Sequence, residues 1–312
     1  MEERWVSGTD GTKIRAWRSG SAGPPVLLCP GLGTMAEAWP ALVRPDATVR
    51  VHSWYHRGTF DSPRPADESR IRLADHVDDA IAVLDDAGVR RCVVVGWSLG
   101  VTVATELARR HPDRVAGLML VGGAPGAFFD DVLGVLGLPK AVSRAIALGG
   151  THALRWASPV LDAVLHRLPV TELGTTLLRH SGLMLPDSDP QAVRALLERF
   201  LRHDWHWFFT LALALGDTGR QDISSVSCPV TVLAGRFDLL ADPRETWSAA
   251  GPLPQARLRL LPCSHFVPLE APDVVAEELD LLVERAAAVR DALDYADPRP
   301  LTPGSPADAY PG

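Results

Sequence analysis

Three residues in this chain have the types and settings to perform acyl transfer together. Ser98 lies in Gly96-Trp97-Ser98-Leu99-Gly100, Asp238 closes Gly235-Arg236-Phe237-Asp238, and His265 lies in Pro262-Cys263-Ser264-His265-Phe266. A serine hydroxyl is a poor nucleophile until a neighbouring imidazole takes its proton. In this reading His265 takes that proton and later returns it to the leaving group. Asp238 fixes the imidazole tautomer and stabilises the imidazolium. The negative charge that develops on the attacked oxygen needs donors. The backbone N–H groups of Leu99, just after the serine, and of Leu32, in Pro30-Gly31-Leu32-Gly33, are the candidates for that oxyanion hole. One such donor is typically worth about 3 kcal/mol in the transition state.

Each residue also has a plainer alternative. Ser98 could cap a helix at a tight turn, Asp238 could be a surface loop residue, and His265 a satisfied loop histidine. Their shared setting favours chemistry. A β-branched run, Val93 to Val95, leads into the serine pentapeptide, and residues at helical spacing follow from Val101 to Arg110. That is strand, sharp turn, helix, with glycines where a bulkier residue would clash as the chain reverses. The helix start aims its free N–H groups and positive dipole end at the turn. Asp238 follows the apolar run Val230 to Ala234, and His265 follows Leu258 to Leu261. Carboxyl ends of parallel strands share one rim, where open α/β sheets bind ligands.

The elements that must position these residues can be read along the chain. Trp5 to Ser7 and Lys13 to Trp17 flank an Asp10-Gly11 turn, the pattern of a hairpin. Pro25 to Cys29, Thr48 to Trp54, Val115 to Val121 and Ala256 to Leu261 read as further strands. Helical periods cover 70–87, closed by Gly88, as well as 243–250 and 272–290. Alternating strands and helices predict an α/β fold, a mostly parallel twisted sheet with helices on both faces. Residues 122–225 break the alternation. They hold helical stretches divided by prolines and rich in Leu, Phe and Trp, the composition of an inserted helical cap. The expected organisation is an α/β core in two parts, 1–121 and 226–293, a cap at 122–225, and a disordered tail at 294–312 rich in Pro, Asp and Gly. Trp97, Phe128, Trp207 and Phe266 are the expected walls of an apolar substrate pocket.

Composition excludes other classes. The chain has 312 residues, 46% hydrophobic and 22% charged, with a net charge of −7. An acidic surface does not suit nucleic acid. Cys29, Cys92, Cys228 and Cys263 have no metal-type spacing and read as reduced residues of a cytoplasmic protein. The N-terminus lacks the apolar stretch of a secretory signal. No apolar run reaches the ~18 residues that span a bilayer, so no stable membrane insertion is expected. His203 and His206 have an i, i+3 spacing but sit among Trp and Phe, and are assigned to packing or pocket lining rather than metal. No cofactor and no metal are expected.

The motifs together resemble the α/β-hydrolase superfamily from about Trp5 to Arg290. The matching pieces are Pro30-Gly31-Leu32-Gly33, Arg57-Gly58 with Ser62, the Ser98 pentapeptide, His111-Pro112-Asp113-Arg114-Val115, Gly235 to Asp238, and Ser264-His265-Phe266 with Glu270 and Pro272. The resemblance implies an α/β-hydrolase fold. It also implies similarity to small cofactor-free carboxylesterases, lactonases, perhydrolase-type haloperoxidases and the carboxylesterases of biotin synthesis. The chain departs from the family pattern at Pro30, where histidine is usual, and at Tyr55, Phe60 and Val101. A serine at position 98 argues against the dehalogenase and epoxide-hydrolase branches, which the resemblance associates with aspartate. The expected activity is hydrolysis of a small apolar ester or lactone through an acyl-serine, by a monomer or homodimer. Cleavage of a carbon–carbon bond in a β-diketone-like substrate is the alternative within enzymes. A non-catalytic ligand-binding protein of the same fold is the alternative outside them.

Overall fold

The structure, a computed structural model, describes residues 1–126, 128–132, 137–216, 218–253 and 255–296. Continuous apolar runs form its interior strands. Pro25–Cys29 (β3), Cys92–Trp97 (β5), Val115–Val121 (β6) and Val230–Gly235 (β7) are buried almost throughout, as strands covered on both faces must be. Glu2–Ser7 (β1), Lys13–Ser19 (β2), Arg50–Trp54 (β4) and Ala256–Leu261 (β8) complete one eight-stranded sheet, in the order β1-β2-β4-β3-β5-β6-β7-β8. The β1–β2 and β2–β4 pairs are antiparallel, and the other pairs are parallel.

The helices are Pro40–Val43 (α1), Leu73–Asp86 (α2), Leu99–Arg110 (α3), Phe128–Asp131 (α4), Lys140–Trp156 (α5), Ser158–Leu165 (α6), Glu172–Arg179 (α7), Pro190–Phe200 (α8), Trp205–Gly216 (α9), Pro243–Ala250 (α10), Val267–Glu270 (α11) and Pro272–Ala296 (α12). Two apolar cores sandwich the sheet. On one face Val94 of β5 joins Val83 and Leu84 of α2, Val103 and Leu107 of α3, and Ala250 of α10. On the other, Val93 and Val95 join Leu42 of α1 and Val275, Leu279 and Leu282 of α12. The two-residue period of a strand thus feeds both layers. Helices α4 to α9 lie between β6 and β7, and no strand occurs there among the described residues.

Several boundaries differ from the sequence reading. β4 starts at Arg50, and α2 starts at Leu73 because the backbone N–H of Arg72 donates to Asp75 Oδ2 at 2.9 Å, closing a capping box. α12 runs on to Ala296, so residues 294–296 of the expected tail are helical. No glycine or proline interrupts the helix before that point, and the first helix breaker is Pro298. The rest of the expected tail, 297–312, lies outside the described residues. No helix among the described residues is long and apolar enough to cross a membrane.

A buried guanidinium ties the layers together. Arg57, fully buried, donates to both carboxylate oxygens of Asp79 on α2, at 2.8 and 2.7 Å, and to Asp10 in the β1–β2 turn at 2.6 Å. The Arg57 carbonyl accepts from Trp207 Nε1 on α9 at 2.7 Å. Gly58 has φ +74°, and a Cβ there would lie 2.1 Å from that indole nitrogen, so only glycine lets Trp207 pack so closely.

Candidate active site

Ser98 is held at φ 54°, ψ −123°, a region that residues other than glycine rarely enter. Its neighbours impose the turn. A Cβ on Gly96 would lie 2.5 Å from the Gly100 carbonyl oxygen, and one on Gly100 would lie 2.1 Å from the Cys29 carbonyl oxygen. The sharp reversal leaves Ser98 partly exposed while every other residue from Cys92 to Gly100 is buried. The Ser98 side chain makes no capping bond to α3. A helix cap is therefore not what its hydroxyl supplies.

Asp238 and His265 meet beyond the ends of β7 and β8. His265 Nδ1 and Asp238 Oδ2 are 2.8 Å apart, and Asp238 Oδ1 accepts the backbone N–H groups of Leu240 and Ala241, each at 2.8 Å. Both carboxylate oxygens are thus committed and the side chain is fixed. Nδ1 of a neutral imidazole carries the proton when it faces a carboxylate, which leaves Nε2 as the base. Gly235 allows the two loops to touch, since a Cβ there would lie 2.1 Å from the Ser264 carbonyl oxygen.

Three residues position these loops: Trp97, expected only as a pocket wall, and Glu270 and His56, which were not among the expected site residues. Trp97 Nε1 donates to the His265 carbonyl at 3.1 Å, so the residue beside the serine also anchors the histidine loop. Glu270 accepts from Ser264 N and Ser264 Oγ, both at 2.7 Å, and from Leu185 N at 2.8 Å, joining that loop to the α7–α8 connection. His56 Nε2 donates to the Pro30 carbonyl at 3.1 Å, directly behind the Gly31-Leu32 turn. Its Nδ1 lies 3.2 Å from Nδ1 of His76. Burial pushes the pKa of His56 down to about 4, so the ring is neutral and its donor stays on the carbonyl. The signal in the sequence is the placement of His56 two residues past a strand. Its partners come from two other elements.

Thr34 N and Oγ1 both donate to the Gly31 carbonyl, at 3.2 and 2.8 Å, which shapes the Gly31–Thr34 turn. Among the described residues, the backbone N–H groups of Leu32 and Leu99 have no acceptor. Both residues line a cavity of about 420 Å³ that Ser98 and His265 also face. Its remaining walls are almost wholly apolar, with Leu183, Met184, Leu197, Phe200 and Phe208 from the helical segment. No Asp, Glu, Lys or Arg lines it among the described residues.

Of the expected pocket walls, Trp97, Phe128 and Phe266 line this cavity. Trp207 does not. Its indole is turned away to bond Arg57 and to stack beneath the Arg64 guanidinium, 4.4 Å from the ring centre. Phe208 and Phe209 line the cavity in its place. His203 donates from Nδ1 to the Phe200 carbonyl at 2.7 Å, and His206 faces Ser158 at 3.4 Å, so the two rings serve different partners. No group of three or more metal-ligating side chains occurs among the described residues.

A sequence model of the family described as "alpha/beta hydrolase fold" matches residues 24–272. The 2-hydroxymuconate semialdehyde hydrolase of Pseudomonas putida is 28% identical over 275 residues, covering 87% of this chain and 89% of that protein. Among solved structures, an esterase from Exiguobacterium antarcticum superposes with a TM-score of 0.71 at 17% identity, over 91% of this chain and 100% of that one. Est816, described as an N-acyl homoserine lactone degrading enzyme, superposes with a TM-score of 0.64 at 25% identity, over 89% and 99% of the two chains.

Proposed function

The chain belongs to the alpha/beta hydrolase fold family, and from that premise we propose that it is a serine hydrolase of carboxylic esters or lactones with an apolar acyl or alcohol part. One observation carries the reading. Ser98, strained and partly exposed on its turn, faces the same apolar cavity as His265, whose Nδ1 is held by a fully committed Asp238.

In the proposed mechanism His265 Nε2 takes the Ser98 proton as Oγ attacks the substrate carbonyl. The tetrahedral oxyanion forms against the free N–H groups of Leu32 and Leu99. Collapse expels the alcohol, which takes the proton from His265, and leaves an acyl-serine. Water, deprotonated by His265, then attacks that ester, and the imidazolium returns the proton to Ser98 Oγ as the acid leaves. Asp238 stabilises the imidazolium in both halves. Helices α4 to α9, within the expected 122–225 segment, act as a lid that keeps water from the acyl group, over a core made of 1–121 and 226–293.

Hydrolysis of p-nitrophenyl esters of increasing chain length, beside a lactone series, tests the reading. Turnover that survives with apolar acyl groups and falls for acyl chains ending in a carboxylate is expected, because no cation lines the cavity. No turnover of any ester or lactone would contradict it. Carbon–carbon cleavage is a second reading, favoured by the similarity to the Pseudomonas semialdehyde hydrolase. A β-diketone in the same assay separates the two.

A further inference from the structure

Helices α5, α6 and α7 each leave some of their apolar residues in solvent, Leu173 and Leu177 among them on α7. On α5, Val142, Ile146 and Trp156 are 44%, 52% and 86% exposed, and on α6, Val160 and Val164 are 66% and 55% exposed. Val142 and Ile146, and Val160 and Val164, are four residues apart, and Trp156 lies fourteen after Val142, spacings that keep these side chains on one outer side of each helix. Scattered exposed apolar residues are ordinary, whereas a contiguous stripe marks a docking surface. These helices are not spare core surface, because α5 and α7 wall the cavity with Thr151 and Leu178.

Charge identifies what covers the stripe. The chain carries a net charge of −7, yet residues 139–180 hold five basic and two acidic side chains, of which Lys140 and Arg144 are paired with Glu245 and Asp130. Arg155 directly precedes the exposed Trp156, and Arg167 lies between Val164 and Leu168. Neither forms an ion pair among the described residues. A second copy of this face would set like charge against like. A layer of anionic headgroups over hydrocarbon instead offers a partner to both kinds of residue, with tryptophan at the boundary. We propose that the outer face of α5 to α7 docks on an anionic lipid surface, lying in its plane and spanning nothing. This would bring a cavity suited to apolar molecules to the phase in which they dissolve.

Co-sedimentation of the full chain with vesicles tests this, using phosphatidylcholine alone and phosphatidylcholine mixed with phosphatidylglycerol. Binding to the anionic vesicles is expected to be at least roughly tenfold tighter and to weaken with salt. The double variant Ile146→Asp with Val160→Asp should lose at least about tenfold of it. Arg155→Gln and Arg167→Gln should each lose roughly fivefold. Ile146, Val160 and Arg167 stand in solvent and Arg155 is half-buried, and an unchanged thermal transition certifies the fold of each variant. No binding by the wild type, or equal binding by wild type and the double variant, overturns the proposal. So does a wild-type dimer in sedimentation velocity that the double variant dissociates, which would give the face to a second copy.

Discussion

At the scale of residues, the chemistry depends on how Asp238 divides its two oxygens. Oδ1 holds the Leu240 and Ala241 amides, and Oδ2 holds His265. Asp238→Asn can keep the first set through its carbonyl oxygen, but its amide donates where the imidazole N–H needs an acceptor. The tautomer is then wrong while the loop stays folded. Ester turnover should fall about 10⁴-fold with little change in the melting temperature. An equal loss of both would make Asp238 structural. The meeting of Ser98, Asp238 and His265 at one rim was legible because each follows a strand whose direction the α/β alternation sets. The role of Glu270 was not, because its three donors come together only in the tertiary structure. Trp207 was misplaced for a related reason. A helix rich in aromatics announces burial but not which side chain turns to the cavity and which to a carbonyl behind it.

At the scale of elements, glycines at two places have opposite roles. Gly100, at the start of α3, has the Cys29 backbone where its Cβ would stand, so Gly100→Ala forces the helix off the sheet. It should cost at least about 1–3 kcal/mol and take activity with it. Gly149, inside α5, has nothing within 4 Å of a built Cβ. Gly149→Ala should therefore stabilise by up to about 1 kcal/mol through helix propensity. Urea midpoints for the two variants check both signs. Element identity was legible from periodicity, and prolines marked the divisions of the helical segment. Pro139 caps α5, while Pro159 and Pro190 stand in the first turns of α6 and α8. Ends were less so. The start of α2 rests on a side-chain bond from Asp75, and the end of α12 on the absence of any breaker before Pro298.

At the scale of the whole molecule, buried neutral histidines couple the fold to pH. Burial pushes His56 down to about 4, and burial with the nearby Arg4, Arg50 and Arg18 does the same to His52. Burial and the adjoining His56 also lower His76. Each takes up a proton near pH 6.5 when unfolded but resists it when folded. Their contribution is thus complete above about 6.5 and is lost as pH falls toward 4. The melting temperature should climb over that interval, and His56→Gln should flatten part of the climb. A flat profile between those limits would show that the rings do not stay neutral. The mostly parallel sheet and the helix layers on both of its faces follow from the sequence alternation, whereas the strand order is set by pairings distant in the chain. Nor does the Arg57 tie follow from it, because it joins a turn, a helix and a carbonyl distant in the chain.

The most direct test of the central claim is covalent. Fluorophosphonate treatment of the wild-type chain and of Ser98→Ala, read by intact mass, should add one phosphonyl group to the wild type and none to the variant. Labelling of both would place the reactive group elsewhere, and labelling of neither would contradict an activated Ser98.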